Sequence, residues 1–468
     1  MSIKYGHRKV IKKNIFFEKT FKYIFIFVVG AVGSFLSLNA QNKEKDKTAQ
    51  VFNLDQCIVY ALQNQPGVRQ SLINEFIVKK TNAINISAWL PQINLSGNFT
   101  HYDPLPTIFT SNPLDPTGAL IKGHSGFVNT FLPQLNATQT IINPDVLFAA
   151  RSAHLYVTAA KQSNDSTKIN LIANVSKTFY NLLFTIEQMT VLEEDTARLA
   201  KNLSDAYHQY IGGIVDKTDY KEATILLNNS KAQLKQAHES LRPQYASLKQ
   251  LMGFPTDKEF NVSFDTTQMM NVIAFDTTQQ LQFEKRIEYQ ELQTEKQLQK
   301  LNVNYYKNQF LPSLSAVYNY SYEFESNSFS NLINQGYPYS YIGASITIPL
   351  FNGLRRIASI QRAKLQGDQL ALAEVNLKSI IYSQYTAAMA NYKSNLYDLN
   401  ILRDNLSMAK DVYSVVSLQY KQGLVAYLNV ITAESNLISS EISYLNALFQ
   451  VLSSKVDLEK AMGFIIKY

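Results

Sequence analysis

Two hydrophobic periods take turns along this chain. From Pro144 to Tyr210 no glycine and no further proline interrupts it, and Val175, Leu182, Met189, Leu203 and Tyr210 keep a seven-residue step with Thr196 as the polar exception. Ile172, Phe179, Ile186, Ala200 and Tyr207 fill the intermediate positions, with Glu193 breaking that series. The pattern predicts one coiled-coil-like helix, on the order of 100 Å long, with Pro144 in its first turn and Gly212-Gly213 at its end. Just after Leu90-Pro91 the period is two: Ile93, Leu95, Gly97 and Phe99 alternate with Asn94, Ser96, Asn98 and Thr100. That spacing predicts a strand with one apolar and one polar face. Further strands are expected over 127–142, 313–324 and 339–350. Shorter helices are expected over 53–65, from there to Trp89, over 217–252, 284–310 and 427–461, and a second long helix over 354–420. The proline- and glycine-rich stretch 103–126 reads as a long loop.

The elements occur twice. Gln209-Tyr210-x-x-Gly213-x-Val215 returns as Gln419-Tyr420-x-x-Gly423-x-Val425, and Met252-Gly253-Phe254 returns as Met462-Gly463-Phe464. Ala223 and Leu227 return as Ala433 and Leu437, and Leu90-Pro91 has its counterpart in Leu311-Pro312. Tyr385, Tyr392, Leu399, Leu406, Tyr413 and Tyr420 repeat the heptad series of the first long helix. Two copies are too few for a solenoid; they fit one structural unit built twice around a symmetry axis. The helices over 217–252 and 284–310 span about 54 and 40 Å, so that, stacked end to end, they would match one long helix.

Composition changes the picture in three ways. The net charge of +7 is concentrated at the start, where residues 1–40 hold Lys4, Arg8, Lys9, Lys12, Lys13, Lys19 and Lys22 against Glu18. What remains is 37 basic against 36 acidic residues, which removes the electrostatic case for nucleic acid. The basic stretch, the apolar run Tyr23–Leu36 and the ending Ser37-Leu38-Asn39-Ala40 read as a secretory signal peptide cleaved after Ala40, because the run is short of the roughly 20 residues of a membrane helix. Cys57 is the only cysteine, so no internal disulfide is expected, and the residue reads as a small buried hydrophobe.

The strands carry the functional expectation. Tyr318, Tyr320, Tyr322 and Phe324 alternate with Val317, Asn319, Ser321 and Glu323, an aromatic side and a polar side, as in outer-membrane barrels. Four strands cannot close a barrel, and an open sheet edge in lipid leaves backbone groups unpaired. Several chains must therefore share one barrel. A non-channel periplasmic coiled-coil structural protein would explain the heptads but not strand pairs flanked by long helices in both copies. His7, His101, His124, His154, His208 and His238 lack metal-ligand spacing, and no phosphate loop, cysteine pair or Ser/His/Asp set stands out. Neither an enzyme nor a metal or cofactor is expected.

Three motifs give the chain a family resemblance. Leu54-x-x-Cys57-x-x-x-Ala61-Leu62-x-x-x-Pro66, Leu350-Phe351-Asn352-Gly353-x-Arg355-Arg356 and Gly423-Leu424-Val425-x-Tyr427-Leu428 resemble the opening helix, the strand-to-helix junction and the second helical turn of TolC-type outer-membrane efflux proteins (outer membrane factors). The resemblance spans residues 51–464. It implies a mainly α protein with membrane β: a duplicated long-helix hairpin unit that forms, as a homotrimer, a 12-stranded outer-membrane β-barrel continuing into a periplasmic α-helical tunnel. It further implies a passive exit duct set in outer-membrane lipid, served by a periplasmic adaptor (membrane fusion) protein and an inner-membrane pump. The cargo would be small molecules, or in the alternative the substrate of a type I protein secretion system. The organisation expected is a signal peptide over 1–40, a first repeat over 41–252, an equatorial connecting segment over 253–283 and a second repeat over 284–468.

The same resemblance points to residues at the periplasmic tip. Gly213 and Gly423 stand at its helix turns, where residues tolerating positive φ are needed. Tyr420 and Asp219 occupy the positions of a family tyrosine–aspartate link that closes the tunnel. Val425 replaces an arginine of a companion link, and Asn429 and Thr432 stand where some members carry a ring of acidic, cation-binding residues. Asp219-x-x-Glu222 at a helix start also has the spacing of a capping box.

Overall fold

The computed structural model describes residues 50–111, 118, 120–263 and 273–465. The signal peptide and its cleavage site, and the Phe264–Gln268 run of the connecting segment, lie outside the described residues. Long helices dominate. We number the strands β1 (Gln50–Phe52), β2 (Gln92–His101), β3 (Thr107–Thr110), β4 (Ile121–His124), β5 (Asn129–Ile142), β6 (Phe260–Val262), β7 (Ser313–Ser326) and β8 (Gly336–Thr347). The helices are α1 (Leu54–Asn64), α2 (Pro66–Ser87), α3 (Pro144–Ile211), α4 (Lys217–Met252), α5 (Ile287–Asn308), α6 (Arg355–Lys421) and α7 (Tyr427–Met462).

Local chemistry sets the boundaries. Asn143 caps α3 by accepting the Asp145 N–H at 2.7 Å, with Pro144 at the first helical position. Asn53 and Gln56 form a reciprocal capping box on α1, and the Gln65 side chain accepts the Val68 N–H to start α2 straight after it. At the strand-to-helix junction, Gly353 and Leu354 both take φ of 64°, a conformation a leucine rarely adopts. Arg356 pins that junction by donating to the Pro349 carbonyl at 2.9 Å while lying over the Phe310 ring.

Strands β2, β5, β7 and β8 form one antiparallel sheet in that order. The β5–β7 pairing joins the two sequence repeats, which leaves β2 and β8 as the sheet's two edges. The stretch expected as a loop over 103–126 contains a small ribbon of its own, β3 paired with β4. The last strand lies earlier than expected from 339–350: its ladder starts at Gly336, opposite Phe324, and stops at Thr347. Pro349, with no N–H to donate, lies just beyond the ladder.

The helices correct the expected stacking. The end of α4 abuts the start of α2, not α5. A Cβ on Gly253 would lie 2.7 Å from the Asn64 carbonyl oxygen, and one on Gly463 would lie 2.6 Å from that of Lys285. Thus α4 continues into α2, and α7 continues into α5, across two joints that a glycine keeps open. Buried Arg286 reinforces the second joint by donating to the Ala461 carbonyl at 3.0 Å. Each half-length pair packs along its own long helix, α2 and α4 on α3, α5 and α7 on α6, and α3 also meets α5 and α7.

The largest core lies near the middle of the long helices. Phe179, Leu182, Tyr392, Leu399, Leu452 and Leu458 meet Met252, Phe254 and Phe260 there. Phe52, Tyr60, Phe254 and Phe260 interlock with ring centroids 5.0–6.0 Å apart, a geometry that adds to simple area burial. Cys57 is fully buried, and burial pushes its thiol up to about 12, which leaves it inert at neutral pH.

Candidate functional site

Two regions combine geometry with chemistry: the helix turns farthest from the sheet, and the sheet itself. At the turns both copies end in the same way. Gly213 and Gly423 adopt φ of 70° and 75°. Each donates its N–H three residues back, to Tyr210 and Tyr420, and the next residue donates to Gln209 and Gln419. This pattern satisfies the last helical carbonyls and needs a left-handed residue.

The two hairpins meet side by side. Ala206, Ala223, Tyr427 and Val430 are buried together, with Tyr220, Tyr413 and Tyr420 packed against them. Tyr420 of α6 donates its hydroxyl to the Gln209 side chain of α3, so its hydrogen bond ties one hairpin to the other but not through Asp219. Asp219 stands nearby and acts by its field: burial raises the Tyr420 hydroxyl, and the Asp219 charge adds to the effect. The Asp219 carboxyl is itself raised by burial, then by Glu222 and Asp216.

The capping box does not form. Asp216 is the N-cap residue of α4 and makes no side-chain cap, so Asp219 falls inside the first turn, where its charge faces the positive end of the helix dipole. Glu222, Asn429 and Thr432 are exposed, and the Thr432 hydroxyl donates back to the Leu428 carbonyl at 2.9 Å.

A buried ionic cluster lies farther along the same helices. Arg198 of α3 donates to Glu434 of α7 at 2.9 Å and also bonds Asp195. Asn202 donates to the other Glu434 oxygen at 2.8 Å, and the Arg198 guanidinium lies 5.4 Å from the Tyr413 ring centre. Asp195 and Glu434 are each only 1% exposed. Burial pushes Asp195 up to about 6 against the pull of Arg198, and its Oδ2 has no hydrogen-bond partner. The sequence carries one signal of this cluster: Asp195 stands between Leu192 and Leu199 on the face of α3 that they and Ala206 bury.

The sheet separates two surfaces. Directly paired residues of antiparallel strands share a face, and the register collects Ile93, Leu95 and Phe99 with Phe131, Leu135 and Ala137. Tyr318, Tyr320, Tyr322 and Phe324 continue this face, and Ile342 and Ile346 complete it. The opposite face carries Asn94, Ser96, Asn98, Gln134, Asn136, Asn319 and Ser321. Asn319 donates to Asn136 at 2.7 Å, and Ser321 donates to Asn319 at 2.6 Å. One apolar and one polar face on strands of 10–14 residues is the arrangement of a membrane-crossing barrel wall.

Comparison with known proteins decides the family. The profile described as "Outer membrane efflux protein" matches residues 57–254 and 284–464. The chain belongs to the outer membrane efflux protein family. Family relatives include two proteins of Pseudomonas putida, the solvent efflux pump outer membrane protein SrpC and the toluene efflux pump outer membrane protein TtgI, each 25% identical over 311 residues. Those matches cover 65% of this chain and span 64% of each relative's length. The fold is that of solved outer-membrane channels of this kind. CusC superposes with a TM-score of 0.71 at 16% identity, over 92% of this chain and 99% of the other. The CmeC outer membrane channel of Campylobacter jejuni gives 0.69 at 18%, over 91% and 90%. The open-state MtrE outer membrane channel of Neisseria gonorrhoeae gives 0.68 at 19%, over 92% and 95%.

Proposed function

We propose that this chain is one third of an outer-membrane exit duct of a tripartite efflux system, through which small molecules pass without chemical change. The observation that carries the reading is the unfinished wall: a four-stranded sheet, apolar on one face and polar on the other, with both edges unpaired within the described chain. Three copies give twelve strands and remove every edge. The polar faces then line a water-filled lumen and the aromatic faces meet lipid, with the helical part in the periplasm.

The helices support closure at the same seams. α2 leads into edge strand β2, and α6 follows edge strand β8. Pairing β8 of one copy with β2 of the next therefore sets α6 beside the neighbour's α2. Both helices carry apolar stripes that stay largely exposed among the described residues: Ile73, Phe76, Ile77 and Ile84 on α2, and Leu365, Leu372, Val375 and Tyr382 on α6, the latter each more than 60% exposed. The tip with Gly213 and Gly423 is the end available to a periplasmic adaptor and, behind it, an inner-membrane pump. The relatives named for solvent and toluene efflux favour small molecules as cargo over a secreted protein.

The test is direct. Outer-membrane fractions should contain an oligomer near three times the chain mass that dissociates on heating, and the purified oligomer should conduct ions in planar bilayers. A detergent-free soluble monomer without conductance would refute the reading.

A further inference from the structure

Strand β8 breaks the rule that its neighbour β7 follows. Its tyrosines, Tyr337, Tyr339 and Tyr341, pair with Glu323, Ser321 and Asn319, not with the aromatic residues of β7. They therefore lie on the polar face, opposite in direction to Tyr318, Tyr320 and Tyr322. Each is exposed, at 53%, 44% and 55%, while Ser321 and Asn319 across from Tyr339 and Tyr341 are buried. The polar rung is sheltered and the rings are presented. No lysine or arginine occurs in the four strands, and their two acidic residues, Glu323 and Glu325, both sit on this face, at the end of β7 away from the helices.

We propose that the column Tyr337–Tyr339–Tyr341 is a contact track on the duct wall that favours aromatic cations, and that it is the main specificity determinant of the barrel segment. The inference rests on the duct reading, because only closure turns the polar face into a lumen. Ring faces attract cations, and stacking adds a contribution that a ring-free cation lacks. Glu323 lies opposite Tyr337, so a cation leaving along the rings meets negative charge at the outer mouth. An aromatic anion meets the same rings and is repelled by that charge. Three copies would carry three such columns.

The test uses the full-length oligomer in planar bilayers, with current carried by KCl and three probes added in turn: ethidium, tetraethylammonium and 1-pyrenesulfonate. Ethidium should block best. Tyr337→Ala/Tyr339→Ala/Tyr341→Ala should weaken the ethidium block roughly three- to ten-fold, while the triple Tyr→Phe variant should keep it, since the ring face and not the hydroxyl makes the contact. Glu323→Gln/Glu325→Gln should weaken the ethidium block and narrow its margin over 1-pyrenesulfonate. An unchanged block in a conducting triple-Ala channel, or equal block by all three probes, overturns the inference and leaves the duct standing. If the triple-Ala chain does not assemble, the Glu→Gln channel decides by the same margin. A wild-type protein that forms no conducting oligomer overturns the duct reading and the inference together.

Discussion

Single side chains near the tip hold the two repeats together, and their chemistry makes them sensitive. Glu434, only 1% exposed, neutralises Arg198, whose side chain keeps 27% exposure, so Glu434→Ala leaves a cation partly buried beside Asp195 alone. Loss of one partner of a buried pair costs about 3–5 kcal/mol, and the melting temperature of the purified protein should fall accordingly. Asp195 works in the other direction. Its folded value of about 6 lies above the ordinary 3.8, so the folded state binds the extra proton between those values. Its contribution to stability is therefore full below about pH 4 and lost as pH rises through 6. Asp195→Asn should flatten the pH dependence of the melting temperature between pH 4 and 7; an unchanged slope would mean that another group titrates there. Tyr420 offers a third test. Its bond goes to Gln209; on our proposal that this tie helps hold the tip closed, Tyr420→Phe and Gln209→Ala should raise channel conductance alike, and the double variant should add little beyond either. A larger rise from Asp219→Ala would instead favour the aspartate as its direct partner.

At the scale of elements, the joints between half-length helices are the least forgiving places. Gly253 combines φ of 66° with a carbonyl 2.7 Å from where a Cβ would sit. Gly253→Ala thus incurs a left-handed conformation, about 1–2 kcal/mol, and a clash of about 1–3 kcal/mol, and it should lower the melting temperature more than Gly367→Ala, whose Cβ would meet nothing. The same glycines show how far the sequence could be read. Their repetition announced two equivalent units, and the uninterrupted heptads announced α3 and α6, because local periodicity is written in the chain itself. Which half-length helix follows which is a long-range fact: Gly253 and Gly463 look alike, but nothing in sequence says that they face Asn64 and Lys285. The strands repeat the lesson. Alternation in β7 showed which face is aromatic, yet the same alternation in β8 points the other way, because register with Glu323, Ser321 and Asn319 assigns Tyr337, Tyr339 and Tyr341 to the polar side. At the tip, residue types at Asp219 and Glu222 suggested a cap, and the fold placed the N-cap three residues earlier at Asp216.

At the scale of the whole molecule, one chain leaves unfinished business at matched positions. The edges β2 and β8 and the stripes of α2 and α6 occur in sequence order as two halves of one seam, so the barrel and the helical part should close together or not at all. Continuation of the α6 stripe through Tyr397, Ile401, Met408 and Val412, all exposed in the single chain, extends that seam toward the tip. A charge placed in the upper stripe should therefore block assembly without harming the fold of the subunit, since the side chain it replaces touches little within its own chain. Leu372, 73% exposed, is the cleanest position. Leu372→Arg would bury an unpaired cation in the seam with the neighbouring copy, at a cost of several kcal/mol in each of three interfaces. The heat-dissociable oligomer should disappear from outer-membrane fractions while the helical circular-dichroism signal of the detergent-solubilised subunit survives. Lys364→Glu, one residue from the upper stripe, should leave assembly intact. If Leu372→Arg assembles normally, the α6 stripe is not the seam, and the pairing of β8 with β2 must be supported by some other face of the helices.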